Sequence, residues 1–210
     1  MSWRGLVAVV ALLAAGIVGG FATAELLQPS PITTGAPEPV VAESPSFPSN
    51  PRPRLEPDPP QAPLVPNVPL RQVSLGSEID RVVFPAPRGW SRIGQLSNEV
   101  KYKLPNNPNY TYVLRVEQVT SDHETTAFMV EDRIADLRRD EEQVKVLYRG
   151  IDQLDVSYVH DGYRRFAVYA WKDVRQSGQA EVEIAITGRE VDVQGMRDLM
   201  LKVAYGMKAG

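Results

Sequence analysis

Hydrophobic and polar residues follow three different patterns along this chain of 210 residues. Residues 6–22 form a stretch of apolar and small residues without any charge. The next part, to about residue 70, is dominated by proline and small polar residues. Apolar residues recur at spacings typical of strands and helices only from Arg71 onward. The pattern predicts an N-terminal apolar segment, a disordered linker at residues 25–70 and one folded domain at residues 71–210.

The first half of the domain alternates apolar and polar residues, which predicts strands. The strands expected there are residues 80–84, 99–104 and 110–119. The period then changes to that of a helix. Ser121 and Glu124 have the spacing of a capping box at a helix start. Ala127, Val130, Ile134 and Leu137 follow on one face of the predicted helix.

The second half of the domain repeats this order. Alternation predicts four more strands, at residues 143–149, 153–159, 163–173 and 181–187. A last helix begins at Asp192 and places Met196, Leu199, Met200, Val203 and Met207 on one face. Hairpin-connected strands with two separate helices predict an α+β domain with a mainly antiparallel sheet.

The apolar segment at residues 5–24 has about the length of a membrane-spanning helix. Arg4 precedes it, and the first charge after it is Glu25, so residues 1–4 are expected in the cytoplasm and the domain outside it. A cleaved signal peptide is the alternative, because residues 22–24 fit the small-x-small pattern for cleavage after Ala24. The expected location is therefore a single-pass membrane anchor with an extracytoplasmic domain, or secretion.

Composition and charge narrow the choice of partners. The chain has 23 lysines and arginines against 26 acidic residues, so it has no basic field for nucleic acid. It has no cysteine, so neither disulfides nor a lipoprotein anchor are available. Prolines recur through the linker and favour an extended polyproline II stalk.

Catalytic signatures are absent from the sequence. His123 lies in the first turn of a predicted helix, where acidic neighbours are common, and His160 lies in a His-Asp-Gly turn. Two distant histidines without cysteine do not suggest zinc, and no phosphate loop or nucleophile elbow is present. We expect no catalytic residues, no metal and no cofactor.

One strand carries a candidate binding face. Alternate residues of the predicted strand 163–173, together with two glutamates on the next strand, would present aromatic and charged groups of the kind enriched in recognition surfaces. These residues are Tyr163, Arg165, Tyr169, Trp171, Glu181 and Glu183. In the alternative, a helix covers this face and Tyr169 and Trp171 belong to the core.

Three stretches resemble a known family. They are residues 84–90, which contain Gly89-Trp90 after a proline turn, residues 110–116, and residues 187–195, which contain Asp192 before the last helix. Over residues 78–208 the chain resembles the PsbP-like fold and, most closely, the actinobacterial LpqN/LpqT-type envelope lipoproteins. The resemblance implies an α-β-α sandwich and a non-catalytic role in the cell envelope. The lipid-attachment cysteine of those lipoproteins is missing.

Together these features predict a membrane-tethered, extracytoplasmic, non-catalytic binding or assembly protein of the bacterial cell envelope. Its expected partners are the membrane and an envelope protein or lipid. A secreted carrier of a small apolar ligand is the main alternative, and an enzyme acting on wall material is a more distant one.

Overall fold

Two antiparallel sheets and two long helices make up the part of the chain that the computed structural model describes, residues 54–120 and 124–210. The predicted α+β class is confirmed. The elements in chain order are β1 (Leu70–Leu75), β2 (Val82–Pro87), β3 (Ser91–Gln95), β4 (Glu99–Lys103), β5 (Val113–Gln118), α1 (Thr126–Asp140), β6 (Glu142–Arg149), β7 (Gln153–His160), β8 (Tyr163–Lys172), β9 (Val182–Gly188), a 3-10 turn (Glu190–Asp192), α2 (Val193–Gly206) and β10 (Lys208–Ala209).

The larger sheet has seven strands in the order β3-β4-β5-β9-β8-β7-β6, and a smaller sheet has the order β1-β2-β10. Alternation along the strands of the larger sheet produces two cores. On β8, Val168 and Ala170 face the core that α2 and the smaller sheet close. Tyr169 and Trp171 point to the opposite side, into the core that α1 closes. The larger sheet is therefore the middle layer of three.

The start of α1 differs from the prediction. The capping residue is Thr125, whose Oγ1 accepts a hydrogen bond from the Phe128 N–H at 3.2 Å. Glu124 is still in the extended chain, because its carbonyl accepts the Ala180 N–H. Glu124 is thus not the third helical residue that a cap at Ser121 requires, and Ser121 itself lies outside the described residues.

Residues 54–69, which the prediction assigned to the linker, lie in extended form along the domain, and we call them the strap. Leu64 is buried in the core beneath α2. Arg189 donates hydrogen bonds to the carbonyls of Pro59, Gln61 and Ala62. A proline-rich segment suits this arrangement, since an extended backbone without internal hydrogen bonds leaves its carbonyls free to accept.

The 3-10 turn before α2 fixes the strap. Arg189 and Asp192 form a fully buried ion pair, with Arg189 Nε 2.8 Å from Asp192 Oδ2. The other oxygen, Asp192 Oδ1, accepts the Leu64 N–H at 2.8 Å. Gly195 allows the close approach, because a Cβ at that position would lie 2.1 Å from the Leu64 carbonyl oxygen. The carboxylate of Asp192 therefore holds the strap and does not cap α2.

The predicted anchor at residues 5–24 lies outside the described residues. Within residues 54–120 and 124–210, no helix combines the length and the apolar character needed to cross a membrane.

Candidate functional site

The six residues of the candidate binding face do not form an open surface. Helix α1 packs over β8, and the side chains of Tyr169 and Trp171 are 5% and 1% exposed. Arg165 and Glu183 are also buried, while Tyr163 and Glu181 are partly exposed. The structure thus corresponds to the alternative in which these aromatic side chains belong to the core.

The charged members of that set have structural partners. Glu183 accepts hydrogen bonds from Arg115 and Arg133, the latter at 2.6 Å, and Arg133 lies over the Tyr169 ring. Arg165 lies over the Tyr163 ring and pairs with Asp58 of the strap at 2.9 Å.

Glu181 closes a loop within the same region. One of its carboxylate oxygens accepts the backbone N–H groups of Val174 and Arg175, which form the connection between β8 and β9. These contacts tie the charged side chains of this face to the strap and to neighbouring strands and loops.

Two buried tyrosines beneath α1 predict a loss of stability in alkali. Burial raises the pKa values of Tyr158 and Tyr169 above the ordinary value near 10. Below about pH 10 both tyrosines are protonated in the folded and the unfolded chain, and their full contribution to stability is present. Above that pH the tyrosines of the unfolded chain lose their protons while those of the folded chain keep theirs, so the free energy of unfolding falls as pH rises. Urea unfolding between about pH 8 and 11 should show this fall. A variant carrying Tyr158→Phe and Tyr169→Phe should show a weaker fall, and an unchanged slope would contradict the assignment.

Among the described residues, no group of three or more metal-binding side chains converges. His160 lies on the surface, where its Nδ1 is 3.0 Å from the Glu141 carboxylate. His123 lies outside the described residues.

A surface groove lies where the larger sheet extends beyond α2, and we call it the β6–α2 groove. Its cavity volume is about 420 Å³, and its walls combine apolar and polar side chains. The lining residues are Leu147, Tyr148, Gln153, Asp155, Val168, Arg197, Met200 and Leu201. This volume is within the range of about 300–1,000 Å³ found for ligand-binding clefts.

An ion pair crosses this groove from α2 to the sheet. Arg197 Nε and Nη2 lie 2.8 Å and 2.7 Å from the same oxygen of Asp155. The Arg197 side chain is 53% exposed, while that of Asp155 is largely covered. The Arg197 guanidinium is thus held in place by Asp155 and lies beside the apolar side chains of the groove.

Exposed apolar residues continue beyond both sides of the groove. On the helix side, Tyr205 lies one turn after Leu201, and the two are 84% and 47% exposed. On the sheet side, Ile151 follows Leu147 and Tyr148 in the next turn, and all three side chains are exposed. Exposed apolar residues that adjoin a groove are typical of interaction surfaces.

A cavity of similar volume, about 430 Å³, lies beside the start of α1. It is lined largely by charged side chains, several of which are already paired, as Arg133 is with Glu183. Half of its ten lining residues are charged, against two of the eight that line the β6–α2 groove, so the groove is the stronger candidate.

The domain is similar in fold to two solved structures. One is LpqN, involved in cell envelope biogenesis of Mycobacterium tuberculosis, at 13% sequence identity and a TM-score of 0.42, covering 66% of this chain and 90% of that one. The other is the cyanobacterial PsbP of Synechocystis sp. PCC 6803, at 13% identity and a TM-score of 0.43, covering 72% of this chain and 98% of that one. No protein-family model and no curated protein matches the chain. Similarities of this size carry no conclusion about function.

Proposed function

We propose that this protein is a membrane-tethered, extracytoplasmic, non-catalytic binding protein of the cell envelope, and that its domain binds a partner protein at the β6–α2 groove. The tether is supported by the apolar segment at residues 5–24 and the proline-rich stretch after it. The single observation that carries the binding role is the groove with its exposed apolar margins.

A protein partner suits the surface better than a small molecule does. The apolar residues reach from Ile151 to Tyr205, well beyond the walls of the cavity itself. A small ligand would fill the cavity and leave these margins exposed to water. The exposed tyrosines and the partly exposed arginine of this surface are residue types enriched in the central part of protein interfaces.

Photocrosslinking in cells that produce the full-length protein tests this proposal. A photoreactive phenylalanine analogue would replace Tyr205 beside the groove, or Leu96 at the opposite edge of the sheet as a control. We expect one specific polypeptide to be crosslinked from position 205 and not from position 96. Leu201→Asp should reduce the product about tenfold or more, because a charge at the centre of an apolar interface removes a major contact.

Leu96→Asp is the matched control, since Leu96 is also an exposed leucine, at 62% against 47% for Leu201, but lies in the turn between β3 and β4. It should leave the product unchanged. Equal losses with both variants, or the same polypeptides from both positions, would overturn the proposal. If only lipids or small molecules were crosslinked at position 205, the protein would be a carrier and not a protein-binding domain. If the protein were found only in the medium, with Glu25 as its first residue, residues 1–24 would be a cleaved signal peptide and not a tether.

A further inference from the structure

The two edges of the seven-stranded sheet differ in how they are protected. Strand β3 is short and contains Gly94 at a φ of +64°, features that disfavour pairing with another strand. Strand β6 has eight residues, and all of them except Val144 are exposed. Natural sheets blunt their free edges with lysines and register shifts, and β6 has both, but its consecutive exposed apolar residues at 146–148 still leave a stretch that can pair.

We propose that the partner binds by adding an extended segment to the β6 edge, so that its apolar side chains enter the β6–α2 groove. This inference rests on the proposed function and names the form of the partner. The same residues serve the edge and the groove, because Leu147 and Tyr148 belong to β6 and also line the cavity. A segment paired with β6 directs every second side chain to the groove side of the sheet, as in other complexes formed by strand addition.

The charges on β6 specify one feature of the segment. Lys145 lies opposite Ser157 in the β6–β7 register, and Tyr148 lies opposite Asp155, so both face the groove side. The nearby cations Arg149 and Arg197 are paired with Glu131 and Asp155. Within the described residues, Lys145 has no such acidic partner. Because opposite charges directly across a strand pair stabilise it, the segment should carry an acidic residue opposite Lys145.

Two register shifts in β6 limit how much of the edge can pair. They lie between Glu142 and Lys145 and between Val146 and Tyr148. Bulges of this kind twist a strand and interrupt its regular pairing. The edge should therefore accept a short segment of a few residues, held largely by its side chains in the groove, and should not extend into an open-ended sheet.

Hydrogen–deuterium exchange of the full chain in detergent tests this inference. The probe is a terminally blocked hexapeptide of alternating valine and threonine with one central glutamate. We expect it to slow amide exchange at residues 142–149 about tenfold or more and to leave residues 91–95, the other edge, unchanged. The same peptide methylated on its backbone nitrogens should give no protection, because it lacks the N–H donors for an added strand.

A charge exchange tests the register at Lys145. Lys145→Glu should weaken the effect of the glutamate peptide about tenfold, and a lysine peptide should restore it. Equal protection by the methylated peptide, equal protection of both edges, or none at millimolar peptide would overturn the inference. The proposed function would survive such a result if crosslinking from position 205 still depended on Leu201. If crosslinking from position 205 did not depend on Leu201, the β6–α2 groove would not be the binding site, and the proposed function would fail as well.

Discussion

Trp171→Ala should destabilise the domain by about 3–5 kcal/mol, the cost usual for deleting a large buried aromatic side chain. Trp171 is among the largest fully buried side chains and stacks on Tyr169 with ring centroids 5.9 Å apart. Both rings fill the core between α1 and the sheet. Removal of the indole leaves a cavity that α1 cannot close without losing its contacts with β8. Since domains of this size are stable by only about 5–15 kcal/mol, much of the folded population should be lost at elevated temperature.

Urea unfolding followed by circular dichroism measures this effect. Tyr205→Ala is the matched control, because it removes an aromatic ring that is almost fully exposed, and such surface changes alter stability by about 0.5 kcal/mol at most. A Trp171→Ala protein that keeps its stability but no longer binds a partner would refute the core assignment and restore the face containing Tyr163, Arg165, Tyr169 and Trp171 as the binding surface.

Asp192→Ala should cost about 3–5 kcal/mol, the range for removing one partner of a buried ion pair. The change leaves the Arg189 guanidinium buried without its carboxylate. It also removes the acceptor for the Leu64 N–H, so the strap loses its deepest attachment. We expect the strap to detach before the rest of the domain unfolds, and hydrogen exchange at Leu64 to accelerate more than exchange in β8.

Asp198→Ala is the matched control for this prediction. Asp198 also accepts a backbone N–H from the strap, that of Asn67, but at a solvent-exposed position where it also pairs with Lys202. Exposed pairs contribute about 1 kcal/mol or less. Losses of equal size in the two variants would show that burial of the Arg189–Asp192 pair adds nothing to the attachment of the strap.

The strands that alternate strongly could be predicted from the sequence, and those set by tertiary contacts could not. β7, β8 and β9 lie within two residues of their predicted bounds. The strand predicted to begin at Tyr110 starts instead at Val113, because Tyr110 has a φ of +60° and belongs to the preceding turn. β1 was not predicted, since it forms only by pairing with β2.

The same limit applies to the candidate site. Alternation along β8 showed that Phe166 and Tyr169 lie on opposite faces, but it does not tell which face a helix covers. The β6–α2 groove combines Tyr148 with Leu201, which are far apart in the sequence and meet only when the sheet and α2 pack. One sign was present in the sequence: Leu201 and Tyr205 have helical spacing but lie off the core stripe of Met196, Leu199 and Met200.

The strap also determines how a mechanical load would enter the domain. Its contacts follow one another along the chain, from the Glu56 N–H on the Gly162 carbonyl, through Asp58 on Arg165, to the carbonyls held by Arg189. A pull on the N-terminal side of residue 54 would load these contacts one after another. The contacts nearest residue 54 would bear the load first, so the strap would peel away from its N-terminal end before the force reaches Leu64 and the core beneath α2.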